Sequence, residues 1–173
     1  MTQTIAVYGI GNVLIGDDAV GPTVVRHLEA LYDFPSNVVV EDLGTPSLDL
    51  AGRLAGTDVV LFIDAVSAKG SPGELRTYTR DEILKHPPGL RLSQHDPSLR
   101  ETLFTLDLLP NAPSFIKLIG VIPGSLQQMG LSDAVQAAIP ALIDAVLAEL
   151  VSLGVEVTPR AGGCVEPAFW DAA

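Results

Sequence analysis

Short apolar runs rich in β-branched residues recur along the chain, and they constrain its fold more than any other feature. These runs cover residues 4–8 (TIAVY), 38–40 (within VVVED), 59–63 (within DVVLFID) and 115–122 (FIKLIGVI). Runs of this length with little polar alternation are typical of strands buried on both faces. They predict a sheet with a layer of helices on each side.

Helical periods separate these runs. Apolar residues recur every three or four positions in three segments, Val20–Leu31, Leu99–Leu106 and 132–153. In the third segment, Ser132 is a predicted N-cap and Gly154 lies just past the expected end. Pro140 inside it marks a point where the helix can kink.

Strand and helix alternation over 173 residues predicts one α/β domain, a three-layer sandwich with a twisted, mostly parallel sheet flanked by helices on both faces. Residues 73–80 alternate more openly, which indicates an exposed or antiparallel edge strand. We assign residues 1–158 to this domain. Residues 159–173 form a Gly-, Pro- and Ala-rich extension, expected to be partly mobile, in which Phe169 and Trp170 could anchor to a groove.

Composition and charge exclude several classes of protein. Ten Lys and Arg against 21 Asp and Glu give a net charge of −11, which opposes binding to nucleic acid. The strongest apolar run ends at Asp64, well short of a membrane span, and the amino terminus lacks the features of a signal peptide. One cysteine, Cys164, excludes an internal disulfide or a cysteine-cluster metal site. We therefore expect a cytoplasmic protein without membrane contact.

Open parallel sheets bind ligands outside the carboxyl ends of their strands, and acidic residues follow two of the predicted strands. Asp17 and Asp18 come after the first strand, Asp64 ends the third, and His95 lies in a loop before the helix of Leu99. Two oxygen ligands and one nitrogen ligand suit a borderline divalent metal, although these donors do not distinguish nickel from zinc, manganese or iron. Each residue also has a purely structural interpretation. Asp18 could cap the first helix, Asp64 could stabilise a turn, and His95 could be an ordinary loop residue.

Other chemistries fit the sequence less well. Gly9 and Gly11 suggest a dinucleotide-binding loop, but the third glycine of that motif is replaced by Leu14, and two carboxylates occupy the phosphate position. The chain has neither a Gly-x-Ser-x-Gly elbow nor a His-Glu-x-x-His helix. His27 and His86 fit helix-boundary or loop positions better than ligand positions.

Five segments occur in the order and spacing of a known family. They are residues 9–21 (GIGNVLIGDDAVG), 42–45 (DLGT), 62–66 (FIDAV), 93–95 (SQH) and 119–123 (IGVIP). Over residues 4–153 the chain resembles the hydrogenase maturation endopeptidases. That resemblance implies a twisted sheet flanked by helices and the removal of a short C-terminal extension from the large subunit of nickel-iron hydrogenase once nickel is inserted.

The resemblance also implies a set of site residues. The metal-contacting positions of the family correspond to Asp18, Asp64 and His95, which we predict to be both metal ligands and catalytic residues. Many relatives have Glu at the position of Asp18, so this shorter carboxylate must lie closer to the ion. Apart from the resemblance, Gly44 and Thr45 lie at the predicted mouth of the site and are expected to approach the substrate backbone, although Gly44 also suits a turn. The implied cofactor is the nickel of the precursor, with no metal bound permanently.

The sequence leaves the chemical step open. The metal can polarise the scissile carbonyl and activate water, or a carboxylate can act as general base while the metal positions the chain. The same residues could also serve recognition alone, in a docking or chaperone-like module that binds the hydrogenase precursor without cutting it.

Overall fold

The computed structural model describes residues 3–46, 50–85 and 99–168. The strands are β1 (Ile5–Ile10), β2 (Tyr32–Asp33), β3 (Val38–Gly44), β4 (Val59–Ala65), β5 (Leu75–Thr79), β6 (Phe115–Val121) and β7 (Thr158–Pro159). The helices are α1 (Val20–Leu31), α2 (Leu50–Leu54), α3 (Arg80–Lys85), α4 (Leu99–Leu106) and α5 (Asp133–Ser152), and a 3₁₀ turn (Gly16–Ala19) precedes α1.

The main sheet has five strands in the order β3-β1-β4-β6-β5. Strand β1 pairs in parallel with β3 and β4, and β4 pairs in parallel with β6. Strand β5 lies antiparallel to β6 at the edge, as the open alternation of residues 73–80 predicts. The expected mostly parallel α/β sheet is confirmed.

Helices cover both faces of this sheet. Strand β4 is buried throughout, and its alternate residues contribute to two separate cores. Leu61 and Ile63 pack with α1 and α5 on one face, whereas Val60 and Phe62 pack with α2, α3 and α4 on the other. The three-layer sandwich is therefore confirmed, and the uninterrupted hydrophobicity of residues 59–63 follows from burial on both faces.

Helix α5 has the predicted caps. The Ser132 side chain accepts a hydrogen bond from the Val135 N–H, and Gly154 adopts a left-handed conformation (φ +80°) just past the C-cap. The helix continues through Pro140 without interruption.

Helix α5 is also long and apolar enough to cross a membrane, by length and composition. The expectation that no segment has these properties is therefore wrong. Val135, Ile139 and Leu142 on this helix are fully or almost fully buried in the core that α5 shares with α1. Helix α5 is therefore part of the core of this domain.

The start of the C-terminal extension is attached to the domain. Strand β7 pairs antiparallel with β2, and the Arg160 guanidinium binds the Asp33 carboxylate at 2.8 Å between Nε and Oδ1. Ala168 is buried. Phe169 and Trp170, the predicted anchors, lie outside the described residues.

Two glycines allow α1 to begin against the ends of two strands. A Cβ at Gly21 would lie 2.2 Å from the carbonyl oxygen of Ile10 in β1 and 2.5 Å from that of Ile63 in β4. A Cβ at Gly9 would lie 2.5 Å from the carbonyl oxygen of Gly21. Gly9 and Gly21 are therefore explained by packing of backbone against backbone.

Gly21→Ala should lower the free energy of unfolding by at least about 2 kcal/mol, because its methyl group overlaps backbone that cannot rotate away. Gly52→Ala is the matched control, because its Cβ in α2 meets no atom within 4 Å. That control should be neutral or raise stability by about 0.5–1 kcal/mol. Urea denaturation of both variants tests the contact, and equal stabilities would contradict it.

Candidate active site

Two acidic residues lie at the point where the chain connections leave the sheet in opposite directions. From β1 the chain passes through α1 to β3 on one side, and β4 lies on the other side of β1. Asp18 belongs to the 3₁₀ turn after β1, and Asp64 is near the end of β4. In an open α/β sheet this switch point is the usual ligand site.

Asp64 is a buried carboxyl group with a perturbed pKa. Its Oδ1 accepts a hydrogen bond of 2.7 Å from the Ala65 N–H. Burial raises the pKa of Asp64 well above its usual value, and the negative charge of Asp18 raises it further. Strand alternation directs Asp64 to the same face as Phe62, the face covered by α2, α3 and α4.

Asp18 is also buried and is fixed by the loop that follows β1. Its Oδ2 accepts a hydrogen bond of 2.8 Å from the Asn12 N–H. Gly11 permits this approach, since a Cβ there would lie 1.7 Å from the Asp18 carbonyl oxygen. The turn therefore holds the Asp18 carboxylate close enough to Asp64 for their charges to interact.

The predicted substrate-contacting residues adjoin this loop. The Gly11 N–H donates to the Gly44 carbonyl oxygen at 2.9 Å, and the Gly44 N–H donates to the Asp42 carboxylate at 2.7 Å. Gly44 has φ +57°, a conformation that favours glycine, and a Cβ there would meet nothing within 4 Å. Thr45 is exposed. The end of β3 thus lies beside the Asp18 loop, with open space next to Gly44.

Asp17, adjacent in sequence, has a different environment. Its Oδ2 accepts hydrogen bonds from the N–H groups of Gly124 and Ser125 and from the Ser132 hydroxyl, at 2.7–2.8 Å. Its Oδ1 accepts one from the Ser132 N–H at 2.6 Å. Both oxygens therefore fasten the 3₁₀ turn to the segment before α5. Sequence reasoning missed this role because no local pattern connects Asp17 to residues more than a hundred positions later.

His95, the third predicted ligand, lies outside the described residues, as does His86. Within residues 3–46, 50–85 and 99–168, no three His, Cys, Asp or Glu side chains form a metal-binding group. His27 lies on α1, with its Nδ1 2.8 Å from the Thr23 carbonyl oxygen. Cys164 is exposed in the extension.

Comparisons with known proteins identify the family. The profile of HycI, hydrogenase maturation protease, matches residues 22–149. The chain belongs to this family. The hydrogenase 2 maturation protease of Escherichia coli K12 is 37% identical over 161 residues, which cover 90% of this chain and 96% of that protein. HupD of Rhizobium leguminosarum bv. viciae, a hydrogenase expression/formation protein, is 32% identical over 165 residues, covering 94% and 82%.

Solved structures of maturation proteases share the fold. The hydrogenase maturating endopeptidase HybD of E. coli superposes with a TM-score of 0.84 at 34% identity, covering 93% of this chain and 100% of HybD. The [NiFe] hydrogenase maturation protease HycI of Thermococcus kodakarensis gives 0.67 at 29% identity, covering 87% and 93%. The predicted family, fold and enzyme class are confirmed: this maturation protease is a hydrolase that cleaves peptide bonds, rather than a dinucleotide-binding protein.

In this maturation protease, Asp17→Asn should reduce the free energy of unfolding by about 2–4 kcal/mol. The amide keeps one acceptor oxygen but places an N–H₂ group against buried donors. Asp144→Asn, an exposed change on α5, is the control and should alter stability by less than about 0.5 kcal/mol. Chemical denaturation measures both values. A small effect at Asp17 would show that the turn does not depend on these bonds.

Asp64→Asn should instead stabilise the metal-free protein at pH 7, by about 0.5–2 kcal/mol. The raised folded-state pKa of Asp64 means that wild-type stability is highest while this group is protonated and falls as pH rises above the unfolded value of about 3.9. The difference between variant and wild type should therefore grow from pH 4 to pH 7. Thermal denaturation in chelator, with Asp144→Asn as control, tests this sign, and a constant difference would refute it.

Proposed function

We propose that this protein removes the C-terminal extension of a nickel-iron hydrogenase large-subunit precursor after nickel insertion, and that Asp18, Asp64 and His95 contact the precursor's nickel. The observation that carries this proposal is the pair of buried carboxylates, Asp18 and Asp64, at the switch point. Burial raises the pKa of Asp64, and repulsion from the Asp18 charge raises it further. A divalent cation would relieve that repulsion, so the donor chemistry fits the proposed ligand.

His95 completes the proposed ligand set. The segment that contains it joins α3, which ends at Lys85, to α4, which begins at Leu99. Both helices pack on the face of the sheet toward which Asp64 points. The position of these two helices supports the proposal that a nitrogen of His95 lies near the two carboxylates. Three ligands from the protease leave coordination positions for the precursor's own ligands, so that recognition depends on the presence of nickel.

Hydrolysis at this site requires an activated water. The water oxygen bonds to the scissile carbonyl carbon, the carbon–nitrogen bond breaks, and the leaving amine takes a proton. Nickel can supply Lewis acidity at the carbonyl or lower the pKa of a bound water, whereas Asp64 can instead accept the proton of the attacking water as general base. Gly44 and Thr45 are proposed to hold the extended substrate, because the end of β3 is open beside Asp18.

We infer that the protein acts in the cytoplasm without contacting nucleic acid or membrane. Its net charge of −11 opposes association with phosphates, and the one described helix with the length of a membrane span contributes to the core. The proposed partner is the precursor protein, and the proposed cofactor is the precursor's nickel, with no metal bound permanently to the protease.

Intact mass spectrometry of the precursor, with and without nickel, tests this function. The unaltered protein should produce a single C-terminal mass loss only when nickel is present. His95→Ala should slow the reaction by about 100-fold or more. His27→Ala is the matched control and should cleave at a near-normal rate, since His27 lies on α1 and contacts the Thr23 carbonyl.

Binding measurements separate the alternatives. If the Asp64→Asn variant binds the nickel-loaded precursor but does not cleave it, Asp64 has a catalytic role. If the variant neither binds nor cleaves the precursor, Asp64 acts in recognition. A stable complex of the unaltered protein with no mass loss would favour the docking-module alternative. No complex and no cleavage with any nickel-loaded precursor of the organism would contradict the proposed substrate.

A further inference from the structure

Three large apolar side chains are exposed on the two loops that border the candidate active site. Leu14 is 63% exposed and Ile15 is 42% exposed on the loop after β1, and Met129 is 62% exposed on the loop between β6 and α5. We call Leu14, Ile15 and Met129 the apolar rim. Leu14 and Ile15 are adjacent on one loop, and Met129 lies four residues after Ser125, which accepts a hydrogen bond from the Asp17 N–H. Contiguous exposed apolar side chains mark interaction surfaces.

The two loops are joined by backbone contacts. The Asp17 N–H donates to the Ser125 carbonyl oxygen at 2.9 Å, and the Asp17 carboxylate binds the N–H groups of Gly124 and Ser125. A Cβ at Gly16 would lie 2.5 Å from that same Ser125 oxygen. The apolar rim is therefore carried by two loops in contact, which fixes their relative position before a partner binds.

Charge is absent from both segments. The chain has 10 Lys and Arg and 21 Asp and Glu, yet the loop residues 11–16 and 122–132 contain none of them. Depletion of charge and enrichment of apolar side chains such as Met distinguish the centre of a protein interface from the rest of a surface. The partner is thus expected to present an uncharged, apolar surface.

The loop that carries Leu14 and Ile15 lies beside Asp18. Leu14 precedes Asp18 by four residues, so their Cα atoms are at most about 14 Å apart. Asn12, two residues before Leu14, donates its N–H to the Asp18 carboxylate. A folded protein whose peptide bond reaches Asp18 must therefore cover the surface beside it.

We propose that the apolar rim docks the folded body of the hydrogenase large-subunit precursor next to its scissile segment. This inference rests on the proposed function and adds the surface that recognises the precursor as a protein, separately from its nickel. A second copy of this chain is the competing occupant. It is disfavoured because each copy carries a net charge of −11.

Substitutions in the rim provide the test. Leu14→Glu, Met129→Glu and the double variant should each weaken binding of the nickel-loaded precursor by at least about 10-fold, with KM raised in parallel and kcat changed by less than about threefold. The uncharged variants Leu14→Asn and Met129→Gln should shift Kd in the same direction. These residues are exposed, so the free energy of unfolding should stay near the wild-type value.

Two exposed apolar residues outside these loops serve as matched controls. Leu108, which is 84% exposed, follows α4, and Val151, which is 63% exposed, lies near the end of α5. Their glutamate variants add the same charge away from the site and should leave both Kd and KM within about twofold of the unaltered protein. Losses in the controls equal to those in the rim would show a general charge effect and overturn the proposal.

The remaining outcomes separate the docking proposal from the proposed function. A double variant that binds the precursor as tightly as the unaltered protein overturns the docking proposal, whatever its cleavage rate. The docking proposal is also overturned if sedimentation of the protein without precursor shows that the unaltered protein is a dimer and that the substitutions only dissociate it. If the unaltered protein binds but does not cleave, the endopeptidase proposal fails while Kd still decides the role of the rim. If it binds no loaded precursor, both proposals fail.

Discussion

The arrangement of the site depends on the close backbone contact between the start of α1 and the ends of β1 and β4. Because Gly21 has no side chain, the helix begins directly against the carbonyl groups of Ile10 and Ile63. The 3₁₀ turn before α1 is thereby held at the switch point of the sheet, where Asp18 and Asp64 approach each other. A larger residue would move the helix away from both strands and with it the turn that carries Asp18.

Adjacent aspartates in this turn show how local environment assigns different roles to the same side chain. The Asp17 carboxylate accepts four hydrogen bonds, which compensate for its burial and stabilise the turn. Asp18 instead lies near the buried Asp64, whose pKa is raised by burial and raised further by the negative charge of Asp18. Asp17 therefore stabilises the turn that holds Asp18 beside Asp64.

Apolar periodicity sufficed to predict the main layers, because it is visible within a short window of sequence. Strands buried on both faces appear as continuous apolar runs, and helices with one apolar stripe show apolar residues every three or four positions. It located β1, β3, β4, β6, the antiparallel edge strand and helices α1, α4 and α5. Helices α2 and α3 were missed because they are too short to show a helical period, and β2 and β7 because each has two residues. The pairing of Asp17 with Ser132 depends on contacts across the fold, and the placement of Gly44 beside the Asp18 loop depends on strand order, which no local pattern contains.

The contacts that fix Asp18 also fix the apolar rim. The loop from Asn12 to Asp18 begins with a hydrogen bond to the Asp18 carboxylate and ends at the Asp17 bonds to Gly124 and Ser125. Leu14 and Ile15 lie between these two attachments and therefore cannot move far without disturbing one of them. A precursor seated on the rim would bind next to carboxylates already in position, so the entropy of ordering this loop is lost in folding and not in binding. Recognition of the protein surface and contact with its metal would then use one preorganised structure.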